Sequence, residues 1–480
     1  MNKPLLPLLL PLFLLSMPQM FAQHGYEASW KAGLLGMRQN PAAIVSSVHR
    51  GELVLGAGNL TAQNNLFSSN EYDDFFPSRL VMNSVTNPGD LLFMTGVREG
   101  DFDPTGNASE WFAENRGYAQ IMSLRFRIKT DPNARERGIN RQAIAIRLER
   151  DELVQISGVN QTLVEGAARE FTDMAGTRIT RDDWRIQVRE WDALGINYGI
   201  SIGRGKNRFH VGIGAKLLSA AGYLDLNVTG NQWEFINGNS VRIGADSVSL
   251  AYNPTLEDAT NPNGRRRYPT FENSLGFSGE IGFTYQMYNY NREPVFEAGL
   301  ALMDIGSLRF WNIEERNYSL PGRETTYDPN GDFRSINGVE NTLSNLAAET
   351  SQLSDQGVRE SLPLRLTGHA KVRLGDKGWG VQARGNLGQR WSSDGWNGQF
   401  IATLCREKRG LSWFIPLTFG PDVTSNLPAD WSPTVGLFLS LGDVLVVGSN
   451  DLLSSVYRSA TREGVSTAHL FATFKIPFGR

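Results

Sequence analysis

The chain has 480 residues, 20% of them charged, and a net charge of −3, which gives no electrostatic reason to expect a nucleic-acid partner. Its negative mean hydropathy excludes a bundle of apolar transmembrane helices. The single cysteine, Cys405, excludes an internal disulfide or a cysteine-built zinc site.

The first element is a leader. A short basic start, an apolar run over 5–15 and the sequence Met20-Phe21-Ala22 predict a secretory signal peptide over 1–22. The run is shorter than the ~20 residues that span a bilayer, and Pro4, Pro7 and Pro11 oppose a buried helix. Residues 23–48 then form a segment able to enter a barrel as a plug, and 49–480 carry the barrel itself.

From there the chain alternates. Leu124, Phe126 and Ile128 interleave with Arg125, Arg127 and Lys129; Ile144, Ile146 and Leu148 interleave with Ala145, Arg147 and Glu149. Strands are expected at 50–61, 117–130, 141–158, 191–203, 208–229, 276–290, 295–311, 361–374, 379–391, 398–408, 411–421, 432–441, 444–449 and 467–478. Short connections (near 204–207, 290–294, 375–378, 409–410 and 442–443) alternate with long polar ones (near 62–116, 159–190, 230–275, 312–360, 391–397, 421–431 and 450–466). Residues 131–140 fill one short slot. That alternation is the plan of an all-β, transmembrane antiparallel barrel of about 14 strands with long extracellular loops. Residues 241–254 also read as a strand, which leaves about 16 strands as the alternative. Helices are expected within the loops at 161–175 and 341–356.

The stretch 361–374, SLPLRLTGHAKVRL, decides which face is which. Successive strand residues point to opposite sides. Leu362, Leu364, Leu366, Ala370, Val372 and Leu374 form one side; Arg365, His369, Lys371 and Arg373 form the other. A lipid-facing Arg at mid-bilayer costs about 2–4 kcal/mol, so the bases must face inward, toward acids such as Glu52, Glu149 and Glu280. The same parity makes Arg125, Arg127, Lys129, Arg147, Lys216, Arg365, His369, Lys371, Arg373 and Arg384 candidate lumen residues. Trp311, Trp379, Trp391, Trp396, Trp413, Tyr288 and Tyr290 lie near strand ends and suit interfacial girdles.

Catalytic patterns are poor. The five histidines form neither H-E-x-x-H nor G-x-S-x-G patterns with their surroundings, so no enzymatic activity, metal or cofactor is expected. Asp328-Pro-Asn-Gly-Asp332 reads as turn chemistry before it reads as a calcium loop. Cys405 reads as a small buried residue.

Residues 34–44, LLGMRQNPAAI, contain Asn40-Pro41-Ala42. This resembles the N-terminal signature of FadL-like outer-membrane proteins, in which the segment before the first strand folds into the barrel. ALGINYGISIG (193–203), GFSGEIGFTYQMY (276–288), FEAGLALMDIGSLRFWN (296–312), VVGSNDLLS (446–454) and HLFATFKIPFGR (469–480) resemble a Bacteroidota-type, porin-like barrel family of unknown function. The resemblance implies the cell outer membrane, with contacts to its lipid and to the barrel-assembly machinery, and Phe478 as the core of a C-terminal insertion signal. It also implies passive transport or binding of a small amphipathic, hydrophobic or anionic solute. A non-transporting barrel that docks an exported protein partner is the rival reading, and a secreted soluble β-protein the third.

Overall fold

The computed structural model describes residues 26, 29–47, 49–64, 110–128, 139–160, 175–203, 206–237, 240–253, 275–290, 293–326, 336–353, 357–375, 377–389, 396–408, 410–420, 433–450 and 466–479. Its strands are β1 (Gly51–Asn64), β2 (Glu110–Ile128), β3 (Ile139–Asn160), β4 (Arg178–Ile202), β5 (Asn207–Asn237), β6 (Ser240–Tyr252), β7 (Gly276–Tyr288), β8 (Pro294–Phe310), β9 (Glu314–Thr326), β10 (Glu349–Leu353), β11 (Val358–Ser361), β12 (Arg365–Leu374), β13 (Trp379–Gln389), β14 (Trp396–Arg406), β15 (Leu411–Phe419), β16 (Thr434–Val435), β17 (Leu437–Leu441), β18 (Leu445–Ser449) and β19 (Ser466–Phe478).

All pairings are antiparallel, and β1 pairs with both β2 and β19, so the sheet closes on itself. The result is an all-β barrel of 14 strands. β11 and β12 share one wall position, β16 and β17 share another, and β6, β9 and β10 stand outside the ring. The 16-strand alternative is therefore set aside. The strand at 241–254 exists as β6, but it pairs with the far half of β5 and with β9 instead of entering the wall.

Alternation makes the wall two-faced. On β13 the exposed residues are Val381, Ala383, Gly385 and Leu387, and the buried ones Gln382, Arg384 and Asn386. Ile146, Ile196, Phe209, Ile213, Phe283 and Leu300 continue the exposed apolar band on other strands. Such a continuous band marks a surface that meets something other than water.

Short connections and the paired ends Gly51 and Phe478 gather at one mouth. There Gly375 and Gly378, with φ of 66° and 80°, supply the left-handed backbone that a tight hairpin demands. At the other mouth β4 and β5 run on for 25 and 31 residues, far beyond the ~10 that cross a bilayer. Their ends join β6, β9 and β10 in an extension. One face of it carries an apolar core: Val154, Val188, Leu224, Leu226, Val248 and Leu250, closed by Val339, Leu343 and Leu346 of α2 (Ile336–Leu346).

Three local expectations change. The helix placed at 341–356 ends at Leu346, because 349–353 pairs with β9 as β10; tertiary pairing overrides propensity. The strand placed at 361–374 breaks at Leu362–Leu364, around Pro363, which has no N–H to give a ladder. The break turns Leu362 inward, into an apolar cluster with Leu308 and Phe310, away from the outer face assigned to it. Tyr288, placed in an interfacial girdle, is buried inside, where its hydroxyl donates to Gln286 at 2.6 Å. The helix expected at 161–175 (all but Ala175, a turn residue), most of the 131–140 turn, Trp391 and the 328–332 turn lie outside the described residues.

Candidate functional site

The lumen is filled in three tiers. At the short-turn mouth lies the N-terminal segment, which includes a 3-10 turn (Leu35–Arg38) and the short helix α1 (Ala43–Ser46). Tyr26, Leu34, Leu35, Met37, Ile44 and Val45 pack against wall residues Ala143, Ala145, Phe414, Phe438 and Phe471. Glu52 accepts hydrogen bonds from the Leu34 N–H (2.9 Å) and the Ser47 hydroxyl. Arg125 donates to the carbonyls of Ile44 (3.0 Å) and His49 (2.7 Å) and lies 3.5 Å from Glu52.

The apex of the segment sits on bare backbone. Gly199 pairs with Gly212, and Gly212 with Gly282, across β4, β5 and β7. A Cβ on Gly212 would fall 2.3 Å from the Pro41 carbonyl carbon, and one on Gly282 would fall 2.1 Å from Asn40 Oδ1. Asn40 Nδ2 donates to the Phe283 carbonyl (3.0 Å) and to Thr284 (3.2 Å), while Asn40 Oδ1 accepts from the Ala42 N–H (2.9 Å). Asn40, Pro41 and Ala42 thus form a turn seated on the wall.

The rim holds the segment as well. The Trp30 N–H and the Ser29 hydroxyl donate to Glu407, and Lys31 pairs with Asp443 at 2.8 Å. Burial disfavours the Asp443 carboxylate, but His49 and Lys31 outweigh it and hold this turn residue below the usual carboxylate range.

Above the apex is an ionic tier. Arg147 bonds Glu149 (3.1 Å), Glu280 and Asn197 (2.9 Å); Lys216 lies 3.3 Å from Glu149 and 3.5 Å from Asp304; Arg365 Nε donates to Asp304 (2.7 Å). Arg38, from the N-terminal segment, stacks 3.4 Å over the Tyr118 ring and reaches Asp151 at 3.7 Å. Over this tier sits an apolar roof of Leu153, Leu218, Tyr223, Phe310 and Leu362. Between floor and roof is a cavity of about 70 Å³, with Arg38, Lys216, Asp304 and Arg365 below and Leu153, Trp191, Leu218 and Leu362 beside it.

The remaining sequence-selected bases spread around this axis. Arg127 is half-buried and donates to the Ser47 (3.0 Å) and His49 (3.2 Å) carbonyls. His369 lies 3.1 Å from Glu297, Lys371 bonds Glu407 at 3.1 Å, and Arg373 pairs with Glu293 in a rim turn. Arg384 is buried on β13, opposite His369. Lys129 lies outside the described residues. Phe478 is exposed on the outer face, its ring edge against Phe126. Cys405 is buried and donates to the Gly380 carbonyl at 3.4 Å.

Sequence reasoning missed Asp304 and Arg38. Asp304 breaks the inward parity of β8, and a bulge with φ of 59° turns it into the lumen. The signal was its charge, since a carboxylate in an apolar strand has no place on an apolar outer face.

A family model described as a family of unknown function (DUF5723) matches residues 41–415. No curated protein matches the sequence. Among solved structures the chain is similar to a deltaS2 mutant of the TodX monoaromatic hydrocarbon channel, at 10% identity over 93% of this chain and 95% of that one, with a TM-score of 0.45. It is similar to the P. putida toluene transporter TodX (10% identity, 92% and 93% covered, TM-score 0.39). A Pseudomonas aeruginosa FadL homologue is similar at 12% identity, with 91% of each chain covered and a TM-score of 0.36.

Proposed function

The chain belongs to the family of unknown function DUF5723, and from its lumen we propose an outer-membrane barrel that binds and passes a small amphipathic or anionic solute, with the N-terminal segment as its plug. The apolar outer band supports insertion in lipid. Cleavage after Ala22 and assembly through Phe478 belong to the same reading. The observation that carries it is the cavity on top of the segment, with a charged floor and an apolar side. At about 70 Å³ it is roughly half the ~150 Å³ that admits a benzene, so it receives a head group and not a whole amphiphile.

The test is liposome swelling with the full chain and with 23–48 deleted. The expected result is slow swelling for the full chain and fast swelling for the deletion. A second reading, a sealed barrel that docks an exported protein, is favoured by the roof, an apolar cluster inside the barrel to which the segment contributes no residue. No swelling in either form overturns the solute reading and leaves the docking one.

A further inference from the structure

Most inward bases of the barrel have a carboxylate within reach: Arg125 has Glu52 (3.5 Å), Arg147 has Glu149 (3.1 Å), Arg189 has Glu360 (2.8 Å) and Lys371 has Glu407 (3.1 Å). Arg127, Arg141 and Arg208 share one corner of the short-turn mouth and form no ion pair among the described residues, although Glu52 lies within electrostatic reach of Arg127.

Alternation points all three inward. Arg127 follows buried Arg125, Arg141 precedes buried Ala143, and Arg208 precedes buried His210, while Phe126, Ile144 and Phe209 are exposed. Arg127 is opposite Ala143, Arg141 is opposite Ser201, and Ser201 is opposite His210. Arg127 lies within electrostatic reach of Arg141, and Arg141 within reach of Arg208. Among the described residues, the acids facing this corner are already engaged: Glu52 by Arg125, Leu34 and Ser47, and Glu297 by His369 and Gln286.

A second observation lies in the same corner. Among the described residues Ser201 Oγ and His210 Nδ1 have no hydrogen-bond partner, although these residues are only 0% and 1% exposed. The tautomer of His210 follows from its neighbours. Gln286 Nε2 donates to Glu297, so Gln286 Oε1 accepts from Tyr288 (2.6 Å) and from His210 Nε2–H (2.8 Å). His210 Nδ1 is left with a lone pair.

Guanidinium forks and a hydroxyl offer donors, and one ring nitrogen offers an acceptor. Hydrogen phosphate is the complement: several acceptor oxygens and one O–H. Carboxylate and sulfate supply acceptors alone. We propose that Arg127, Arg141, Ser201, Arg208 and His210 form a phosphate-binding site at the short-turn mouth. It lies on the opposite side of the N-terminal segment from the cavity and does not depend on the solute reading. Because its side chains face the barrel axis, the phosphate arrives from water and not from the lipid leaflet.

The test is calorimetric titration of the detergent-purified full chain with inorganic phosphate at pH 7 and constant ionic strength. Saturable binding is expected, weaker by about tenfold or more in Arg141→Gln/Arg208→Gln, with sulfate binding less tightly than phosphate. Ser201→Ala, which removes one hydroxyl and no charge, gives a milder loss in a variant that keeps its fold. Heat-dependent gel mobility checks that each variant retains the barrel. Phosphate behaving like chloride, unchanged affinity in the double variant, or sulfate binding equally well overturns the site. Repeating the titration in nanodiscs containing phosphatidylglycerol separates the sources. Unchanged affinity identifies free phosphate, and loss of phosphate binding assigns the arginines to lipid head groups and overturns the proposal.

Discussion

Arg125 and Glu52 are both fully buried and lie within one ion pair of each other, yet each also holds backbone groups of the N-terminal segment. Removing one partner leaves the other buried charge with less compensation; Lys475 still acts on Glu52, so the cost stays below the roughly 3–5 kcal/mol of breaking an isolated buried pair. Glu52→Leu or Arg125→Met alone is therefore expected to lower the denaturation midpoint markedly. The double variant is expected to lose less than the sum of the two, because neither member of the pair is then left facing the gap of the other. Strict additivity would show that the two side chains act separately. At this scale the bases were legible in the sequence, since Arg125, Arg147 and Lys216 fall at alternate positions among large apolar residues. Their carboxylates were legible only in part. Glu52, Glu149 and Glu280 keep the parity of their strands, but the bulge turns Asp304 against its own, and no local pattern announces that bulge.

Among the elements, the N-terminal segment depends on the wall being empty of side chains where Asn40 and Pro41 rest. Gly282→Val would drive its Cβ toward Asn40 Oδ1. Overpacking of this kind costs about 1–3 kcal/mol, and the segment, not the strand, has the freedom to move. Trypsin is expected to cut Gly282→Val at Lys31 or Arg38 faster than the parent. Gly385→Ala, where nothing lies within 4 Å of the added atom, is the control and stays resistant. Equal rates in both would mean that the seat carries no load. The turn at Asn40-Pro41 stood out in the sequence, whereas its seat did not. Gly199, Gly212 and Gly282 are each unremarkable within their strands and meet only through register across three of them.

For the molecule as a whole, two kinds of packing coexist. The ring buries polar side chains and shows an apolar exterior, while the extension of β6, β9, β10 and α2 buries an apolar core. Only the second is held mainly by the hydrophobic effect in water, which guanidinium weakens. Rising guanidinium is expected to release amide exchange protection in β6 and β9 before β7 and β8. Simultaneous loss in all four would make ring and extension one cooperative unit. The closed ring was readable from strand length, alternation and the rhythm of short and long connections. The extension was not, because β4 and β5 continue past the ring with no break in pattern, and only pairing shows where β6 leaves it.

The three paired glycines amount to a mould cut into the inner wall, with the Asn40-Pro41 peptide as its cast over Gly212 and Gly282 and Ile44 over Gly199. A mould made of missing atoms cannot be relined by neighbouring strands, whose own side chains are fixed in register. Should the cast be withdrawn, what stays behind is a groove one peptide wide, with the Phe283 carbonyl at its edge and no native side chain shaped to refill it.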